Sequence, residues 1–203
     1  MPRSSRKWPS SSGPQPVPDR PRLWTVGHSG RPLAVFLDLL RAEEIEVLVD
    51  IRSWPGSRRH PHFARVPLAR ALADVGIAYR HCPALGGRRS HQRLDRPSPN
   101  GFWQSEGLRN YADYALTPPF AEALAKLLAL ARRRRTAIMC AEARPANCHR
   151  RIVSDHLLAR GAEVMHILDR DTIVIAETTD AARISPDGVV TYPPPQPGLF
   201  DDR

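Results

Sequence analysis

Short apolar runs alternate with segments of helical periodicity along most of this chain. The runs end at Val26, Ile51, His81 and Cys140, and each has the length and composition of a strand. Between them, apolar residues recur every three or four positions, which indicates helices with one buried face. Strand–helix repeats of this kind predict an α/β fold in three layers, with a parallel sheet covered by helices on both faces.

The α/β domain is predicted to span residues 23–180, between two tails. Residues 1–22 combine Pro, Ser and basic residues without an apolar core, so we interpret them as a disordered tail and not as a secretory signal. Residues 185–203 form a Pro-rich C-terminal tail. Residues 84–117 interrupt the alternation as an insert. No apolar run is long enough to span a membrane, and three cysteines are too few for a disulfide framework. We therefore expect a cytoplasmic protein.

Positive charge is concentrated in one part of the chain. The formal net charge is +9, and residues 52–96 contain ten Arg against two Asp, a local charge of +8. Such a concentration suits a polyanionic partner and predicts binding to DNA or another nucleic acid. The alternative is a solvated basic surface that reflects composition, because 28 of the 30 basic residues are Arg.

The loops that follow the predicted strands carry polar side chains. In a parallel sheet, the carboxyl ends of the strands meet at one edge, where ligands bind. We therefore expect His28, Asp50, Arg52 and His81 to converge with the loop after Cys140.

The segment 136–151 has the strongest chemical character. Cys140 stands at the end of a predicted strand and precedes Arg144 and a helix N-terminus, and both features lower the pKa of a thiol. We predict that Cys140 is a partly exposed nucleophile; the alternative is a buried structural thiol. Glu142 is either a general acid or base, or an ion-pair partner of Arg150. A minority interpretation makes Cys140, Cys148 and His149 metal ligands.

Two groups of candidate site residues follow. The catalytic candidates are Cys140, Glu142, His149, Asp50 and His28. The candidates for holding phosphate or nucleic acid are Arg52, Arg58, Arg59, Arg88, Arg89, Arg144 and Arg150. No motif in the sequence specifies a cofactor.

Six short motifs follow one another in order over residues 23–168: Gly27-His28-Ser29, Asp50-Ile51-Arg52 with Trp54-Pro55, His62-Phe63, Leu85-Gly86-Gly87, Tyr111-Ala112-Asp113-Tyr114, and Cys140-Ala141-Glu142 with Pro145 and Cys148-His149-Arg150. Together they resemble the family called domain of unknown function 488. The resemblance implies a Rossmann-like α/β fold and a site built from these motifs, but no particular reaction. Gly30 stands where that family commonly has Asn.

The C-terminal tail carries a separate motif. Gln196, Leu199 and Phe200 resemble the Q-x-x-L-F peptide by which bacterial polymerases and repair proteins bind the sliding clamp, and a proline run supplies an extended linker. We expect the peptide to be disordered in the free protein and to bind the clamp through its two apolar side chains.

These patterns lead to one main hypothesis and two alternatives. The main hypothesis is a cytosolic DNA-associated enzyme that acts on modified or damaged nucleic acid through Cys140, Glu142 and His149. The first alternative is a rhodanese-like sulfur transferase with Cys140 as persulfide carrier. The second is a non-catalytic nucleic-acid-binding module recruited through the tail.

Overall fold

The computed structural model describes residues 20–56, 59–92 and 97–195. The strands in this part of the chain are β1 (Arg22–Gly27), β2 (Val47–Asp50), β3 (Ala78–His81), β4 (Thr136–Cys140), β5 (Glu163–Asp169), β6 (Thr172–Ile175), β7 (Arg183–Ile184) and β8 (Val190–Thr191). The α-helices are α1 (Leu33–Ala42), α2 (Arg65–Ala73), α3 (Glu106–Tyr114), α4 (Pro118–Ala131) and α5 (Arg150–Leu158). Short 3₁₀ turns lie at Pro61–Phe63, Pro83–Leu85 and Pro145–Asn147.

Six strands form one sheet in the order β3-β2-β4-β1-β5-β6. β1 to β5 are parallel, and β6 pairs antiparallel with β5. The carboxyl ends of the five parallel strands therefore lie at one edge, as the strand–helix alternation predicts. The three-layer Rossmann-like α/β fold is confirmed.

Helices cover both faces of the sheet. On one face α1 and α2 bury Phe36, Leu39, Leu40, Leu68 and Leu72. On the other face α3, α4 and α5 bury Tyr111, Phe120, Leu124, Leu127, Ile152, Val153 and Leu157. Each of these large apolar side chains stabilises the fold by roughly 1.5–3 kcal/mol through its removal from water. Because apolar side chains meet both faces, every residue of β2 and β4 is buried.

The insert at residues 84–117 belongs to the second helical layer. Its helix α3 is anchored by two tyrosine hydroxyls, because Tyr111 donates to the carbonyl of Leu85 and Tyr114 to that of Ala84, each at 2.8 Å. The insert thereby fixes the loop after β3, which borders the carboxyl edge of the sheet.

The domain continues past the predicted boundary at residue 180. The hairpin of β7 and β8 leads to Tyr192, which is fully buried against Trp103. The Tyr192 hydroxyl donates to the Asp155 carboxylate at 2.8 Å, and its main-chain N–H donates to Asn100 at 2.9 Å. The first part of the predicted tail is thus a packed segment that joins the insert to α5.

Candidate active site

A pocket of about 900 Å³ opens at the carboxyl edge of the sheet, a volume typical of small-molecule sites. Most of its lining comes from the loops after β1, β2, β3 and β4, with α3 on one side. The principal lining residues are His28, Ser29, Arg52, Ser53, Trp54, Arg59, His60, Arg88, Ser105, Leu108, Cys140, Glu142, Asn147, Cys148 and His149.

The loop after β1 is fastened to the loop after β4. The main-chain N–H groups of His28 and Ser29 donate to the carbonyls of Cys140 and Ala141 at 3.0 and 2.8 Å. Gly27 makes this approach possible, since a Cβ there would lie 1.8 Å from the carbonyl oxygen of Glu142. The backbone that carries the cysteine loop is therefore fixed on the side of β1.

His28 is buried and stacks on Phe63 with ring centroids 4.3 Å apart. Its Nδ1 lies 2.8 Å from the Ser29 carbonyl oxygen, so Nδ1 carries the proton and Nε2 accepts from the Arg52 guanidinium at 3.2 Å. Burial lowers the pKa of His28 to about 4. A histidine held neutral by burial, with both nitrogens engaged, positions neighbouring residues and is not a free base.

Asp50 and Arg52 form a buried ion pair. The Arg52 guanidinium donates to the Asp50 carboxylate at 2.6 Å and to the carbonyl of Phe63 at 2.8 Å. The Tyr79 hydroxyl donates to the same carboxylate at 2.7 Å. These groups neutralise each other and hold the loop after β2. A catalytic role for Asp50 and a phosphate-binding role for Arg52 stay predictions. His81 supports this loop through the carbonyl of Arg52, at 2.8 Å.

The two cysteines of the β4 loop lie against each other in the pocket. The Sγ atoms of Cys140 and Cys148 are 2.8 Å apart, and both residues are buried free thiols. Cys148 also accepts the main-chain N–H of Arg150, in the first turn of α5, at 3.4 Å. The Nδ1 atom of His149 lies 3.5 Å from the same sulfur.

The pKa of Cys148 is lowered and that of Cys140 is raised, so Cys148 is the thiol of the pair that ionises first. The hydrogen bond from Cys140 lowers the pKa of Cys148, and His149 and Arg150 lower it further. Burial raises the pKa of Cys140 well above its ordinary value. The prediction of a partly exposed Cys140 with a lowered pKa is therefore wrong. The helix N-terminus acts on Cys148, while Cys140, at the strand end, keeps its proton and donates it.

His149 is oriented by contacts on three sides. Its Nε2 lies 3.3 Å from the carbonyl oxygen of Ile51, which only accepts, so Nε2 carries a proton and Nδ1 faces Cys148. The Tyr111 ring meets it edge-on at 5.0 Å between centroids. On the remaining side lies Gly87, where a Cβ would be 2.3 Å from Nδ1. The predicted Leu-Gly-Gly motif thus makes room for the imidazole.

Arg150 is fully buried and supports the cysteine loop from beneath. Its guanidinium donates to the main-chain carbonyls of Glu142 and Ala143 and to the Thr25 hydroxyl. Arg150 binds Glu142 through the main-chain carbonyl and not through the carboxylate, contrary to the ion-pair alternative for Glu142. A phosphate contact of Arg150 stays a prediction. The Glu142 side chain is exposed and supplies a carboxylate to the pocket lining.

The predicted arginines divide into pocket-lining and structural groups. Arg59 and Arg88 are exposed and line the pocket. Arg89 instead donates to the carbonyls of Pro83 and Gly86 and lies 3.7 Å above the Tyr114 ring, so these contacts give it a structural role. Arg144 is exposed but is not part of the lining. Arg58 lies outside the described residues.

Sequence reasoning missed Trp54 as a site residue. Its side chain lines the pocket and is 79% exposed, which is unusual for the largest apolar side chain. Phe63 and Trp103, two other aromatic residues close to the arginines in sequence, are buried in the core. The signal was the sequence Trp54-Pro55-Gly56, in which an aromatic residue stands in a loop that follows a strand.

The minority metal interpretation meets a geometric difficulty. The ligand atoms of Cys140, Cys148 and His149 lie within 4.8 Å of one another, close enough to surround an ion. Two thiolates on one zinc ion are about 3.8 Å apart, given Zn–S bonds of about 2.3 Å at a tetrahedral angle. The observed sulfur separation of 2.8 Å is about 1 Å shorter. The geometry therefore favours direct sulfur–sulfur contact.

Two further predictions concern the clamp-binding peptide and the membrane. Gln196, Leu199 and Phe200 lie outside the described residues. None of the helices in residues 20–56, 59–92 and 97–195 has the length and apolar character that a membrane crossing requires.

Comparison with known proteins gives one match. The family model described as "Domain of unknown function DUF488" matches residues 32–157. Comparisons with curated proteins and with solved structures gave no match.

Proposed function

Because this chain belongs to the DUF488 family, whose description states no activity, we propose its function from the pocket: it is a cysteine-dependent enzyme that acts on nucleic acid. The observation that carries the proposal is a pair of cysteine sulfurs in contact inside a pocket that is also lined by exposed arginines and an exposed tryptophan. The pKa of one of them, Cys148, is lowered. The thiolate supplies the reactive group, and the other side chains match a substrate that bears phosphates and planar rings.

Cys148 is the proposed nucleophile. Its sulfur receives hydrogen bonds from the Cys140 thiol and the Arg150 N–H, so it stays charged without an added base. His149 faces the same sulfur through Nδ1, and with a second proton on that nitrogen it can deliver a proton to a leaving group. Glu142, the carboxylate among the described lining residues, is the second candidate for proton transfer.

The pocket lining supports nucleic acid as the substrate class. Arg59 and Arg88 present exposed cations that can contact phosphates. Trp54 presents an exposed indole on which a base can stack, and such stacking contributes about 1–3 kcal/mol per base. A damaged or modified base that leaves the helix easily would reach the buried sulfur at low cost.

Sulfur transfer is the second candidate function, and the contact between Cys140 and Cys148 favours it. A persulfide on one cysteine would lie beside a second thiol. The revised persulfide carrier is Cys148, because it holds the negative charge.

We also propose a cytoplasmic location and recruitment to the sliding clamp. The three free cysteines suit a reducing compartment. The residues Gln196, Leu199 and Phe200 supply the clamp-binding pattern.

Nucleic-acid titrations at several salt concentrations test the substrate class. Replacing Arg59 and Arg88 by Ala should weaken binding to single-stranded and double-stranded oligonucleotides. The substitutions should also reduce the slope of the logarithm of the binding constant against the logarithm of the salt concentration. The reduction should be about one for each phosphate that the variant no longer neutralises.

The matched control replaces Arg132 and Arg133 by Ala. It removes the same charge from exposed residues beyond the end of α4, at the edge of the sheet opposite the pocket. Equally weakened binding in both double variants would show that net charge alone attracts the polyanion. An absence of binding at low ionic strength would refute nucleic acid as the substrate.

A further inference from the structure

A cysteine nucleophile needs no second thiol, yet a second buried thiol touches this one. Cys140 and Cys148 lie eight positions apart in sequence with their Sγ atoms at 2.8 Å, and both line the pocket. When Cys148 carries an additional sulfur atom as a persulfide, the Cys140 thiol can do more than donate a hydrogen bond. It can attack the Cys148 sulfur and form a disulfide.

We infer that the pair reduces sulfane sulfur: Cys148 takes the outer sulfur atom of a thiosulfate or persulfide donor, and Cys140 releases that atom as hydrosulfide. The inference rests on the proposed role of Cys148 as nucleophile and is independent of nucleic acid as substrate.

The first step forms a persulfide. The Cys148 thiolate attacks the outer sulfur of thiosulfate, the bond between the two thiosulfate sulfurs breaks, and sulfite leaves with the bonding electron pair. The outer sulfur remains on Cys148 as a persulfide anion. Arg59 and Arg88, which line the same pocket, are placed to attract the anionic donor.

The second step closes a disulfide. Cys140 attacks the Sγ atom of Cys148, the persulfide bond breaks, and the proton of Cys140 goes to the departing sulfur, which leaves as hydrosulfide. The two cysteines are oxidised to a disulfide while the sulfane sulfur is reduced to sulfide. A small dithiol or a dithiol protein must reduce the disulfide before the next cycle.

The fold is arranged for this second step. The two sulfur atoms must approach by less than 1 Å to reach the disulfide bond length of about 2.05 Å. The sheet holds Cys140, and the Pro145–Asn147 turn and α5 hold Cys148. Cys140 keeps the proton that the departing sulfur needs, because Cys148 and not Cys140 carries the charge of the pair.

A single-turnover experiment with reduced protein and thiosulfate tests the inference. The wild-type chain, without added reductant, should release sulfite and sulfide in equal amounts and lose two hydrogens in intact mass. Cys140→Ser should release sulfite but no sulfide and should gain the mass of one sulfur on Cys148. Cys148→Ser should release neither product, and Cys82→Ser is the matched control that should behave as wild type.

Serine at position 140 separates the two possible roles of that thiol. A serine hydroxyl still donates a hydrogen bond to Cys148 but cannot form a disulfide, so sulfide release by Cys140→Ser at the wild-type yield would overturn the inference. Wild-type protein that accumulates the persulfide without a disulfide would overturn it as well, even where the variant fails to fold.

Alkylation with iodoacetamide separates this inference from the proposed function. A Cys148 that reacts with iodoacetamide but not with thiosulfate or a small persulfide would reject sulfane-sulfur reduction and leave the nucleophile in place. A Cys148 that reacts with none of these reagents would reject the nucleophile itself.

Discussion

At the residue scale, the assignment of charge to Cys148 gives a pH signature. Hydrogen bonds lower the pKa of Cys148, whereas burial raises that of Cys82. In the wild-type protein, the alkylation rate of Cys148 should change little between about pH 6 and 8. Alkylation of Cys82 should rise about tenfold per pH unit over the same range, because its thiolate fraction does. Peptide mapping by mass spectrometry reads both rates in one sample.

Cys82 serves as the internal control for reagent stability and for gradual unfolding. Parallel pH profiles for the two cysteines would contradict the assignment of a thiolate to Cys148 at neutral pH.

Gly87→Ala tests how His149 supports that thiolate. The new Cβ would displace the imidazole, because it would lie 2.3 Å from Nδ1 in the present arrangement. We expect the alkylation profile of Cys148 to acquire a dependence on pH near neutrality while the fold persists. Gly107→Ala is a matched control, since a Cβ there meets nothing closer than 3.9 Å. An unchanged profile in Gly87→Ala would indicate that His149 contributes little.

The sequence predicted that these residues lie together, but it did not predict which of them carries a charge. A cysteine between a strand and a helix predicts a thiolate, and the chain offered both Cys140 and Cys148. The choice depends on which sulfur meets the Arg150 N–H and the His149 ring. Both contacts are local, and they follow from the conformation of the loop around Cys148, which the sequence pattern does not specify. The sequence also did not reveal the ion pair between Asp50 and Arg52. A charged residue at the end of a strand gives the same sequence pattern whether or not it is paired with an opposite charge.

At the scale of elements, the C-terminal hairpin acts as a strap across the second helical layer. Tyr192→Phe removes the hydroxyl that donates to the buried Asp155 carboxylate. Because the buried carboxylate would lose one hydrogen-bond donor, the free energy of unfolding, measured by urea denaturation, should fall by about 1–3 kcal/mol. Tyr192→Ala should cost about 3–5 kcal/mol because it also empties a packed site.

A Tyr192→Phe variant as stable as wild type would show that the hydroxyl contributes no net stability.

The prolines in this segment predicted a tail, yet alternate residues such as Val190 and Tyr192 are buried. The strands were easier to predict, since β2 and β4 are buried on both faces and read as unbroken apolar runs.

At the scale of the whole molecule, buried histidines couple stability to pH. Burial lowers the pKa of His28 and His166 to about 4 and that of His156 to about 3. The unfolded chain binds protons at these positions below about pH 6.5, whereas the folded chain does not. The free energy of unfolding should therefore fall as pH decreases from about 6.5 towards 4, by up to about 1.4 kcal/mol per pH unit for His156.

His156→Leu should reduce this slope. His156 packs edge-on against Phe120, and its Nε2 has no hydrogen-bond partner among the described residues, so a leucine suits the site. Urea denaturation at several pH values measures the slope for both chains. A slope unchanged by the substitution would contradict a neutral His156 in the folded state.

Recruitment by the C-terminal peptide is a prediction for the intact chain. Replacing Leu199 and Phe200 by Ala should abolish binding to the sliding clamp, because two apolar anchors contribute roughly 3–6 kcal/mol before ordering costs. The melting temperature should not change. A lowered melting temperature without any clamp binding in the wild-type chain would instead assign these side chains to packing.

The strand order also governs when the protein can fold during its synthesis. β4 lies between β1 and β2, so the first three strands cannot complete a sheet until more than one hundred further residues have followed β1. Contacts of such sequence separation slow folding. A nascent chain stalled before residue 136 should therefore remain open to proteases, and the ribosome must release nearly the whole domain before the cysteine pair becomes shielded from cellular oxidants.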